Sequence, residues 1–156
     1  MSMELHVLSD RRLALTQDWQ RAIDAEGFPL QLEPNVQLAS VNGFLPAQLR
    51  NEAAGFECFN DDARRTEEFL GDANFDKQWR FALGLRWLGS STKELQAAWM
   101  AAIAYAEATK GILFDHEDGR VLRPDEARIA LGNITREFAS LDAILAKVKN
   151  SFSPRK

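Results

Sequence analysis

The sequence predicts an α+β domain, an antiparallel sheet of about four to six strands packed by an alanine-rich central helix and a long C-terminal helix. Three observations predict it. In "QWRFALGLRWL" Trp79, Phe81, Leu83, Leu85 and Trp87 recur at period two, which puts all five on one strand face over 78–87. In "SSTKELQAAWMAAIAYAEATKG" Ser91 and Glu94 form a capping box ahead of an alanine-rich body with high helix propensity. Leu131, Ile134, Phe138, Leu141, Leu145 and Val148 are spaced 3-4-3-4-3, the a/d stripe of a long helix. The chain of 156 residues, 46% hydrophobic and 27% charged, has the size and composition of one globular domain. Residues 1–150 are expected to form it, and 151–156 a flexible tail.

The other elements follow in chain order. "MELHVL" alternates, with Met3, Leu5 and Val7 on one side and Glu4 and His6 on the other, so a half-buried strand is expected. Ser9 or Asp10 is placed to cap a helix that buries Leu13, Leu15, Trp19, Ala22 and Ile23 and ends at Gly27. "FPLQL" suggests a short edge strand. Residues 33–54 carry Pro34, Asn42-Gly43 and Pro46, so irregular structure with one helical turn is expected. "GFECF" reads as a strand and "NDDARRTEEFLGD" as a short exposed helix. Gly84 leaves room for a bulge or a second backbone, and Gly111 ends the central helix. "ILFDHEDGRVL" reads as a β-hairpin with Asp115–Asp118 at a solvated tip and Gly119 in the left-handed position. Pro124 then opens the last helix, which Gly132-Asn133 would kink or split.

Composition narrows the function. A net charge of −4 argues against a general nucleic-acid surface. No apolar run reaches the ~18 residues of a membrane span, and no secretory signal is evident, so a cytoplasmic location is expected. The single cysteine, Cys58, alternates with Phe56 and reads as a small buried hydrophobe. Serine and cysteine nucleophile motifs, Walker A and G-x-G-x-x-G are all missing, so no catalytic residue and no cofactor is assigned. An EF-hand would need glycine sixth from Asp115, whereas Gly119 is fifth. His6 and Cys58 form no zinc motif with His116, so no metal is assigned.

What remains are charged groups. Asp61, Asp62, Glu67, Glu68, Asp72 and Asp76 form one acidic run; Asp115, Glu117 and Asp118 form another. Either could steer a basic protein partner, set against a merely solvated surface. Arg80 and Arg86, with His6, could bind an anion, set against cross-strand pairing with a residue such as Glu57. The a/d stripe reads as core, with a homodimer through the C-terminal helix as the alternative.

Two stretches, "NGFLPAQLRNEAAGFECF" and "AYAEATKGILFDHEDGRVL", resemble segments of small bacterial α+β proteins, some of them similar to immunity proteins of bacterial toxin systems. The resemblance carries no functional residue onto this chain. It implies a non-enzymatic inhibitor of the immunity type; the acidic pI and the acidic loops are what suggest that Asp61, Asp62, Glu67, Glu68, Asp115, Glu117 and Asp118 occlude the basic site of a partner such as a cognate toxin. The alternative is a small-molecule or anion-binding domain using Arg80, Arg86 and His6. A third reading is a hydrolase built from His6 or His116 and nearby carboxylates.

Overall fold

A computed structural model describes residues 2–70, 75 and 77–152. The chain folds as expected into an α+β architecture. Strand β1 (Ser2–Ser9) leads to helix α1 (Thr16–Glu26) and strand β2 (Leu30–Leu32). A 3-10 turn (Leu38–Ser40) precedes strands β3 (Asn42–Leu45), β4 (Ala47–Leu49), β5 (Glu52–Ala53) and β6 (Phe56–Asp62). Helix α2 (Ala63–Leu70), strand β7 (Phe81–Leu88) and helix α3 (Thr92–Thr109) follow. The chain then forms β8 (Ile112–Asp115), β9 (Arg120–Leu122) and α4 (Pro124–Phe152). The main sheet has six antiparallel strands in the order β3-β6-β7-β1-β8-β9, and β2-β4-β5 form a small second sheet.

Period two gives this sheet two different faces. The covered face carries Leu5 and Val7 of β1, Phe56 and Cys58 of β6, Leu83, Leu85 and Trp87 of β7, and Leu113 of β8, all buried in one core with α1, α3 and α4. Helix α3 is the centre of that core. Its alanines from Ala97 to Ala106 are buried, which lets neighbouring elements approach closely. Trp19 of α1 reaches it and donates from Nε1 to the Ala101 carbonyl at 2.8 Å. Gly111 is required at its exit, because a Cβ there would lie 2.4 Å from the Leu8 carbonyl oxygen. The opposite face carries Glu4, His6, Phe59, Asp61 and Arg86. Among the described residues it is covered at one end, by a second cluster of Leu8, Ala63, Phe75, Ala82, Ile112 and Phe114.

Several expectations are corrected. Helix α1 begins at Thr16 and not beside Ser9 or Asp10, since Ser9 is still in β1. Its first turn is closed by Asp18, whose carboxylate accepts from the Leu15 N–H at 3.1 Å. Residues 33–54 hold β3, β4 and β5; each is too short for alternation to show, and the turn signals punctuate them. Strand β7 starts at Phe81, so Trp79 lies before it and packs half-buried on the second cluster rather than with Leu83, Leu85 and Trp87. Phe81 is also only half-buried, under the Arg12 guanidinium. At Gly84 a Cβ would meet the Phe59 ring at 2.4 Å, so the room is filled by a ring and not by a bulge. Helix α4 runs through Gly132-Asn133 without interruption and includes residues 151 and 152, which were expected in the tail. Its stripe divides: Leu131 is buried and Ile134 and Phe138 pack on the core, but Leu141, Leu145 and Val148 are exposed. No helix among the described residues is long and apolar enough to cross a membrane.

Candidate functional site

The chain has two histidines, and the fold brings them together. His6 sits mid-strand in β1, opposite Gly84 of β7 and Phe114 of β8. His116 follows β8 at the start of the hairpin turn. Though separated by 110 positions in sequence, His6 Nδ1 and His116 Nε2 lie 2.7 Å apart. On its other side His6 Nε2 lies 2.6 Å from Asp61 Oδ2 on β6, with Glu4 Oε1 at 3.9 Å. An ionised carboxylate only accepts, so Nε2 of His6 carries a proton and donates it to Asp61. The two imidazoles then share one proton between Nδ1 and Nε2.

Aromatic rings hold both side chains. Phe59 packs edge-on to His6 with ring centroids 6.0 Å apart, and Phe114 lies edge-on to His116 at 4.9 Å. Gly84 makes the first contact feasible, because Phe59 occupies the space of its absent side chain. His6 is buried; His116 is half-buried, and this desolvation, with His6 beside it, pushes its pKa below the usual imidazole value. The pair opens into a cleft of about 470 Å³ that Asp62, Arg65, Thr66 and Arg86 also line. Arg86 is drawn toward Glu4 at 3.7 Å and Glu57 at 3.8 Å, so it already has carboxylate partners.

A second cleft lies on the covered side of the sheet, between the hairpin and α4. It measures about 600 Å³ and has an apolar floor of Met3, Leu95, Trp99, Leu122, Ile134 and Phe138. Ile129 of α4, 67% exposed, projects at its edge. Among the described residues, five carboxylates, Asp115, Glu117, Asp118, Glu126 and Glu137, stand around that floor against one arginine, Arg120.

The predicted site residues scatter over both sides. Asp115 is not solvated but 3% exposed; it ends β8 opposite Leu5, and burial pushes its carboxyl above the usual range. It accepts from the Glu117 N–H at 3.0 Å and faces Arg120 at 3.6 Å. Glu117 and Asp118 are exposed on the turn, where Gly119 takes φ +62°. Asp61 is engaged by His6; Asp62 accepts from the N–H groups of Arg64 and Arg65 at the start of α2. Glu67 accepts from the Trp79 N–H at 3.0 Å, while Glu68 is exposed. Asp72 and Asp76 lie outside the described residues. The Arg80, Arg86 and His6 set is not assembled: Arg80 precedes β7 and lines another cleft with Trp79 and Phe81. His6 and His116, which form no motif in the sequence, are brought together because β1 and β8 are adjacent strands.

No family model matches the chain, and no curated protein matches it.

Proposed function

We propose that the protein acts by binding, and that the groove between the hairpin and α4 takes a basic, amphipathic segment of a protein partner. The composition of the groove carries this reading. An apolar floor offers burial to a hydrophobic stripe, and Glu117, Asp118, Glu126 and Glu137 face whatever flanks that stripe. An inhibitor of the immunity type, covering a basic site on a toxin, is the functional class we favour. Its contact set then changes from the one the sequence suggests. The run Asp61, Asp62, Glu67 is engaged in hydrogen bonds within the molecule, whereas Glu117 and Asp118 are joined by Glu126 and Glu137 of α4.

The experiment is titration of a fluorescent, helical leucine–lysine peptide into the full chain. Saturable binding that weakens with added salt is expected. Reversing two rim charges, Glu126→Lys with Glu137→Lys, should weaken it about tenfold or more, ~1.4 kcal/mol. Binding that ignores this reversal, or no binding at low ionic strength, contradicts the reading.

A further inference from the structure

The geometry points to a divalent transition-metal site on the open face of the sheet, formed by Glu4, His6 and His116 and accepting zinc or an ion of similar chemistry. One ligand atom from each residue lies within 4.8 Å of the other two. Two imidazoles and a carboxylate are a donor set that suits zinc, nickel or copper, whereas calcium and magnesium prefer all-oxygen surroundings. The site is separate from the groove, which opens on the other side of the same sheet.

Three further features fit a metal better than a bare hydrogen bond. The first is Asp61. A metal-binding imidazole commonly donates its second N–H to a carboxylate, which fixes the ring and strengthens the ligand. Asp61 does this to His6 at 2.6 Å and leaves Nδ1 aimed at His116. The second is the surrounding charge. Glu4, Asp61 and Asp62 line the cleft, and of its two arginines Arg86 is turned toward Glu4 and Glu57. A cation is therefore favoured there over an anion. The third is the support behind the ligands. His6 is fixed in the middle of a strand between Phe59 and Asp61, and Phe114 backs His116.

The adjustment on binding is small. Two nitrogens on one tetrahedral zinc, each bonded at about 2.0–2.1 Å, are about 3.3 Å apart. The observed separation is 2.7 Å, so the two nitrogens must move apart by about 0.6 Å, and His116 stands on a turn where that is feasible. The ion takes the place of the shared proton. That proton leaves to solvent or moves to Nδ1 of His116, and no oxidation or bond cleavage is involved. Glu4, partly exposed and 3.9 Å from Nε2 of His6, swings from Arg86 to complete the protein ligands.

The test uses the full chain, first stripped of metal with a chelator. Zinc is titrated in competition with a chromophoric chelator, and cobalt(II) is titrated with its visible absorption recorded. One ion per chain is expected, with the intense visible bands of tetrahedral cobalt. His116→Gln should weaken zinc binding about 100-fold or more, and Asp61→Asn about 10–100-fold. Peptide binding in the groove should be unchanged by either variant, so failure here is distinguishable from failure of the groove reading. Weak cobalt absorption of an octahedral, all-oxygen type in the wild-type protein overturns the proposal even if the variants do not fold. Zinc affinity equal in wild type and His116→Gln overturns it as well.

Discussion

Asp115 and His116 are neighbours in the chain and belong to opposite sides of the protein. Asp115 ends β8 on the covered side, buried at the head of an acidic groove. His116 turns to the open side and meets His6. The difference shows what a sheet does with a polar run. One residue of offset changes the face, and with it the solvent, the partners and the chemistry available. Consecutive polar residues that read as one hairpin tip in the sequence thus divide between two faces of the sheet. The covered face is held by apolar packing, whereas the part of the open face outside the second cluster is held by hydrogen bonds and ion pairs among Glu4, His6, Asp61, Arg86 and His116, with Phe59 and Phe114 against the imidazoles. Perturbations of the two should differ in size and in their dependence on pH.

The largest effect is expected on the covered face. Leu85 is fully buried there, so Leu85→Ala should cost about 2–5 kcal/mol in denaturant unfolding. A loss under ~1 kcal/mol would mean that this face is not the core. Next comes Gly84→Ala, which acts on the open face of the same strand. Its new methyl collides with the Phe59 ring, and a loss of about 1–3 kcal/mol is expected by thermal melting. A neutral result would show that Phe59 is free to move and that His6 is not fixed by it.

The pH dependence should have opposite signs at the two neighbours. The folded pKa of His116 lies below its ordinary 6.5, so the unfolded chain takes up its proton first as pH falls. The contribution of His116 to stability is complete above pH 6.5 and is lost as pH drops from there through its folded value. The folded pKa of Asp115 is raised above its ordinary 3.8, so in the window above 3.8 acidification favours the folded state at that residue. Unfolding of chelator-treated protein across this range should show the histidine slope in wild type, and His116→Gln should remove it. A slope that survives the substitution would assign it elsewhere. The smallest effect concerns the outer half of α4, where Leu145 is 57% exposed. Leu145→Glu should change stability by less than ~0.5 kcal/mol. A larger, concentration-dependent loss would show that a second copy covers the helix.

Much of the fold is legible in the sequence because it is local. The parity of Leu83, Leu85 and Trp87, the Ser91 cap of α3 and the turn at Gly119 each depend on residues close in the chain. The histidine cluster does not. It needs β1 between β7 and β8, a pairing across more than a hundred residues that no spacing reveals. A partial signal was present. His6 falls on the polar side of β1, and Asp61 lies two residues beyond Phe59. Once β1 is placed beside β8 and β7 beside β6, parity alone turns all of them to one face. The groove is also non-local, since its rim joins the hairpin tip to α4. Trp79 misled because period two continued past the true start of the strand.

The most direct measurement is a nitrogen-15 spectrum of the imidazole rings in metal-free protein near neutral pH. The chain contains only two histidines, so both can be assigned by substituting one. Nε2 of His6 should be protonated and hydrogen-bonded to Asp61, and Nδ1 of His6 and Nε2 of His116 should share one proton. Both nitrogens of that pair should shift together in Asp61→Asn. Two rings with the averaged signals of free, solvent-exposed imidazole, unaffected by that substitution, would contradict the organised open face.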